Sequence, residues 1–287
     1  MMNTRAIAGL GAFAVGCIAA LSWTGLNSPL AASEARLIAQ AEVYSLEDWC
    51  LFRDQLDADS QHTVTVLLEV LGTEECTEAN RRASTLTLLN LDNRDLRDLR
   101  PLATFPLLRE LVLNNNQIAD IGPLASLANL QRLSASANQI QDIEQLTTLK
   151  ELRSLVLSNN QITVLPTLEN LSQLRDLDLQ GNVISGLMPL QPLSELEILN
   201  LSGNEIVDIS PLSNLTALRR LDLSSNQVAN IAPLVSLVNL EELNLNRNQI
   251  VETGALRRIP SLSEVYLYNN PVENFVCPTT EDAICFI

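Results

Sequence analysis

LRELVLNNNQIADIGPL, residues 108–124, decides how this chain folds, because close copies of it recur as LEILNLSGNEIVDISPL at 196–212 and LRRLDLSSNQVANIAPL at 218–234. One asparagine marks the phase. Asn116, Asn138, Asn160, Asn182, Asn204, Asn226, Asn248 and Asn270 follow one another at intervals of 22 residues, and Arg94 holds the same place one step earlier. The apolar neighbours repeat with them: Leu111, Leu113, Ile118, Ile121 and Leu124 return as Leu199, Leu201, Ile206, Ile209 and Leu212. Self-similarity at a fixed short period is the mark of a solenoid.

In each copy two leucines separated by one residue, such as Leu155 and Leu157, fall on the same side of a short strand, and the residues around them fall on the other. A single unit cannot bury that row. Parallel stacking about 4.8 Å apart joins the rows into one core. Five further apolar columns, such as Ile206, Ile209, Leu212, Leu215 and Leu218, complete each coil. The asparagine closes the strand, and its amide suits the backbone groups that the turn leaves unpaired. Between it and the next strand there is no room for a long helix. Pro101, Pro123, Pro189, Pro211 and Pro233 recur there, so the convex side is expected to be extended or 3₁₀. Ala135 stands where the other copies carry leucine, which makes the coil over residues 133–146 the expected soft point.

The repeated pattern resembles the leucine-rich repeat, in the 22-residue class of bacterial internalin-like proteins and of the regulator of type-one protein phosphatase. The resemblance implies an α/β solenoid, a horseshoe with a parallel β-sheet on its concave face, that binds other macromolecules. About nine units span residues 86–272, and residues 34–85 and 273–287 are expected to form a helical amino-terminal cap and a small carboxy-terminal cap.

Arg5 is followed by no charge until Glu34, and the apolar run Ala6 to Leu21 is succeeded by Ala31, Ala32 and Ser33. This order reads as a secretory signal peptide over residues 1–33. A retained membrane anchor and a lipoprotein attached at Cys17 are the alternatives; with Arg5 on the cytoplasmic side, all three put the repeats outside the cytoplasm, secreted, periplasmic or in the cell envelope. Cys50 and Cys76 precede the repeats and Cys277 and Cys285 follow them, an even count that suits an oxidising compartment. Bridges Cys50–Cys76 and Cys277–Cys285 would hold the two ends, where a solenoid otherwise exposes a leucine-rich face. In the amino-terminal segment, Ser45 with Asp48 forms a capping box for a helix carrying Leu46, Trp49, Cys50 and Leu56. A second helix starts near Asp59 or Ser60 and stops at Gly72, and a third spans Glu74 to Ala83. Asp57 and Asp59 open like a calcium loop, but His62 and Leu68 occupy the places that need glycine and glutamate.

The 34 acidic and 18 basic residues give a formal charge of −16, which disfavours nucleic acid and anionic membranes as partners. His62 is the only histidine and no nucleophile constellation surrounds it, so the chain reads as non-enzymatic, with no cofactor and no metal. Asp176 and Asp178 share a strand with Asp222 two coils away, but a wet concave sheet would not raise a carboxyl pKa for acid/base work. The candidate ligand-binding residues on the concave face form two zones: Asp176, Asp178, Arg220 and Asp222 in the middle, and Asn244, Asn246, Tyr266 and Tyr268 at the carboxy-terminal end, where tyrosines offer hot-spot chemistry. A protein or peptide ligand is the leading expectation. A structural or glycan-binding envelope component, with or without calcium, is the alternative.

Overall fold

A computed structural model describes residues 45–273, 275–278 and 284–286; the leader and Cys17 lie outside the described residues. Ten strands of three residues each form one parallel sheet in chain order, β1 (Leu88–Asn90), β2 (Glu110–Val112), β3 (Arg132–Ser134), β4 (Ser154–Val156), β5 (Asp176–Asp178), β6 (Ile198–Asn200), β7 (Arg220–Asp222), β8 (Glu242–Asn244), β9 (Glu264–Tyr266) and β10 (Ile284–Phe286). From β1 to β9 the register steps by one repeat, as in Leu155↔Leu177 and Leu177↔Leu199. The middle residue of each of those strands is buried and its two neighbours are not, so the sheet has one core face and one presented face.

The asparagines join the coils. Asn204 is 8% exposed; its amide donates to Leu201 O in its own coil and to Leu179 O in the preceding one, both at 3.0 Å, while its Oδ1 accepts from Ile184 N–H at 3.0 Å. Asn138, Asn160, Asn182, Asn226 and Asn248 repeat this set of bonds. Each such carbonyl therefore serves two asparagines: Leu179 O accepts from Asn182 and from Asn204.

Two further ladders were not read from the sequence. The residue before each asparagine is left-handed, with φ of 55° at Asn115, 54° at Ala137, 65° at Gly181, 64° at Gly203 and 56° at Arg247. Asparagine and glycine at five of these places were the available signal. The second ladder starts the convex 3₁₀ helices: Asp98, Asp120, Asp142, Asp208 and Asn230 each accept the N–H two residues on with Oδ1. Val164 replaces the acceptor in one coil and Pro166 removes the donor, and between β4 and β5 no 3₁₀ helix forms. Ala135 is fully buried in its column.

Among the described residues three helices precede the sheet: α1 (Leu46–Leu51), α2 (Ala58–Leu71) and α3 (Cys76–Ala83). The Ser45/Asp48 capping box opens α1, which stops before Leu56, and a 3₁₀ turn at Arg53–Gln55 intervenes. Asp57 caps α2 through Ser60 N–H, one or two residues earlier than the sequence reading placed the start, and Gly72 ends it at φ 68°. The third helix begins at Cys76, not Glu74. Arg100 of the first coil ties these helices to the repeats, bonding Asp57 Oδ2 and Ser60 Oγ at 2.7 Å while it holds its own Asp98. Cys50–Cys76 bridges α1 to α3, and Cys277–Cys285 closes the segment that ends in β10.

Candidate functional site

The concave face is built from the first and third residues of every strand. Because the strands run in register, these residues form columns whose members are neighbours across coils. Apart from Ala135 and Thr253 the core columns hold leucine or its near equivalents, whereas the presented third column changes from coil to coil: Val156, Asp178, Asn200, Asp222, Asn244, Tyr266.

In the middle zone Asp176 Oδ2 accepts from Ser154 Oγ at 3.0 Å, and Asp178 Oδ1 accepts from Gln180 N–H at 2.9 Å. Asp178 corrects the expectation of a wet, unshifted carboxylate: it is half-buried, and its pKa is raised first by that burial and then by the Asp176 and Asp222 carboxylates, against a lowering contact from Gln180. Arg220 does not relieve it. Its guanidinium pairs with Glu242 at 3.3 Å, and Arg132 is likewise held by Glu110.

Polar bonds link the middle zone to the carboxy-terminal one. Asn244 donates to Asp222 Oδ2 at 2.8 Å, and Asn246 Oδ1 accepts Tyr268 N–H at 2.7 Å, which commits that oxygen to the backbone. Tyr266 donates its hydroxyl to Glu264 at 3.0 Å, and its pKa is raised by that bond first, then by burial and by the charges of Glu264 and Glu242. Tyr268 is 59% exposed. Sequence reasoning put Phe286 in the carboxy-terminal cap and not among the ligand-binding residues. It pairs with Tyr266 across β9 and β10, ring centroids 4.7 Å apart and planes 6° from parallel. Cys285 sits opposite Val265, an offset of 20 residues, so a search at the repeat period does not reach β10.

Among the described residues no group of three or more His, Cys, Asp or Glu side chains is placed to hold a metal ion, and no helix is long and apolar enough to cross a membrane.

The family model for leucine-rich repeats matches residues 106–151, 128–163, 150–193 and 194–236. Among solved structures, an internalin (inlF) from Listeria monocytogenes is 32% identical over 67% of this chain, with a TM-score of 0.65. The chain is a leucine-rich-repeat protein similar to the internalins. It spans 58% of the length of that internalin. Internalin C2 from the same species is 26% identical over 78% of this leucine-rich-repeat chain and 89% of its own, with a TM-score of 0.56. A leucine-rich-repeat protein of Leptospira interrogans, 24% identical over 67% of this chain and 57% of its own, shares the fold at a TM-score of 0.56. Comparison with curated protein sequences gave no match.

Proposed function

We propose that this leucine-rich-repeat chain is an exported, non-enzymatic binding protein that recognises a protein or peptide through its concave sheet. The carrying observation is the contrast between columns: the buried positions repeat in every coil, and the presented positions between them differ coil by coil. A repetitive scaffold with a non-repetitive exposed face is the arrangement from which selective recognition is built. Export is supported by the leader-like order of residues 1–33 and by a disulfide at each end of the repeats.

Two measurements test the reading. Intact mass of the native protein is expected to show a mature start near Glu34, with reduction adding four hydrogens; a full-length species with free thiols would overturn export. Crosslinked capture from extracellular material is expected to yield a defined protein that is lost when Tyr266 and Tyr268 are both changed to alanine. A partner retained by that variant and by Asp178→Asn with Asp222→Asn removes the concave face from the account, and saturable binding to purified wall polysaccharide alone replaces the protein ligand with a glycan.

A further inference from the structure

Resting on the concave-face reading and naming the chemistry of its ligand, we infer that the carboxy-terminal end of the sheet is a cradle for a cationic side chain, arginine or lysine, carried by an extended peptide segment. Two independent features meet there. The first is aromatic: Tyr266 and Phe286 stack across β9 and β10, Phe286 remains 46% exposed, and Tyr268 and Ile284 beside them are 59% and 53% exposed. A ring with an open face attracts a cation, and the neighbouring apolar surface accommodates the methylene stem that carries it.

The second feature is electrostatic. Glu242 and Glu264 stand directly opposite one another on β8 and β9, an unfavourable like-charge pair. Arg220 neutralises Glu242, whereas Glu264 receives only the Tyr266 hydroxyl, and among the described residues no cation lies within ion-pairing distance of it. A guanidinium set between the Glu264 carboxylate and the Phe286 ring satisfies both features at once. Farther along the face Asp176, Asp178 and Asp222 also lack an ion pair among the described residues, so a segment with several cations meets unpaired acids in alternate coils, at β5, β7 and β9. Other occupants fit less well. Two copies facing each other would oppose acid to acid, and polyanions meet a chain of charge −16.

The test uses the full chain and a labelled peptide of alternating arginine and serine, with a citrulline version of equal length as the uncharged control. The arginine peptide is expected to bind with a salt-sensitive Kd and the citrulline peptide to bind at least about fivefold more weakly. Glu264→Gln keeps the side-chain shape and Phe286→Leu keeps an apolar cover for β9, so both leave the fold intact; each is expected to weaken the arginine peptide about two- to fivefold. Equal binding of both peptides, or an unchanged Kd in both variants, overturns the inference. If a concave-face protein partner is captured and Glu264→Gln binds it as tightly as the parent does, the cradle is wrong while the recognition reading stands.

Discussion

Asn204 offers the sharpest test of how the coils are joined. Replacing it by alanine removes two donors and one acceptor from a site only 8% exposed. The consequences are unequal. Leu179 O keeps a donor in Asn182 and Leu201 O keeps one in Asn226, but Ile184 N–H loses the one acceptor it has. An orphaned buried donor costs about 1–3 kcal/mol and each of the two other lost bonds about 0.5–1.5 kcal/mol, so Asn204→Ala is expected to destabilise by about 2–6 kcal/mol. Asn270, part-buried in the last full coil, is a matched control whose loss water can partly repair, at about 1–2 kcal/mol. Asn204→Asp adds a pH signature. Its carboxylate would face two carbonyl oxygens, raising its folded pKa above the unfolded value of about 3.9. Stability is then greatest below that value and falls as pH rises through the folded pKa. Urea unfolding of the three variants, followed by circular dichroism across pH, measures all of this. A cost below about 1 kcal/mol for Asn204→Ala, or a pH-independent Asn204→Asp, would refute the account of the asparagine as the joint between coils.

Ala137 holds φ 54° without the relief that glycine enjoys, so Ala137→Gly is expected to gain about 0.5 kcal/mol, the left-handed strain removed exceeding the added chain entropy. The reverse change at Gly181 would set a Cβ 2.6 Å from Asn159 Oδ1, and Gly181→Ala should lower the urea midpoint by about 1–2 kcal/mol equivalent. At Asp57 burial pushes the pKa up but the Ser60 N–H, Arg100 and the Ser60 hydroxyl outweigh it, taking the value from 3.8 to about 2. A depressed carboxyl stabilises the fold above its unfolded pKa, so this contribution is lost as pH falls from 3.8 toward 2; with both partners about half exposed it is worth under about 1 kcal/mol, and Arg100→Gln should flatten that part of the acid titration of stability. Hydrogen exchange is expected to be fastest, among internal coils, over residues 133–146 around Ala135, and slowest exchange there would contradict the packing argument.

The leucine columns and asparagines were legible because each is one residue type held at one spacing, and the same physical demand recurs in every coil. The left-handed column was equally periodic but chemically mixed, with Asn115, Ala137, Gly181, Ser225 and Arg247 sharing one backbone conformation, so identity alone did not expose it. The presented residues of the concave face followed from strand alternation. Their pairings did not, because Arg220 choosing Glu242 over the aspartates depends on side-chain reach across adjacent strands. The place of Phe286 in the sheet was hidden for a different reason: β10 pairs with β9 at an offset of 20 residues, not the 22 of the repeat.

Each asparagine touches only its own coil and the one before it, which makes the molecule a ruler with interchangeable divisions. Excising residues 183–204 would bring Asn226 against the Asn182 coil with every donor and acceptor re-formed, whereas removing one residue more or fewer would break the joint. The cut would leave Asp176 and Tyr266 intact but one division closer, by about 4.8 Å. The spacing between presented residues on either side of a cut is thus a quantity the chain can change in whole steps.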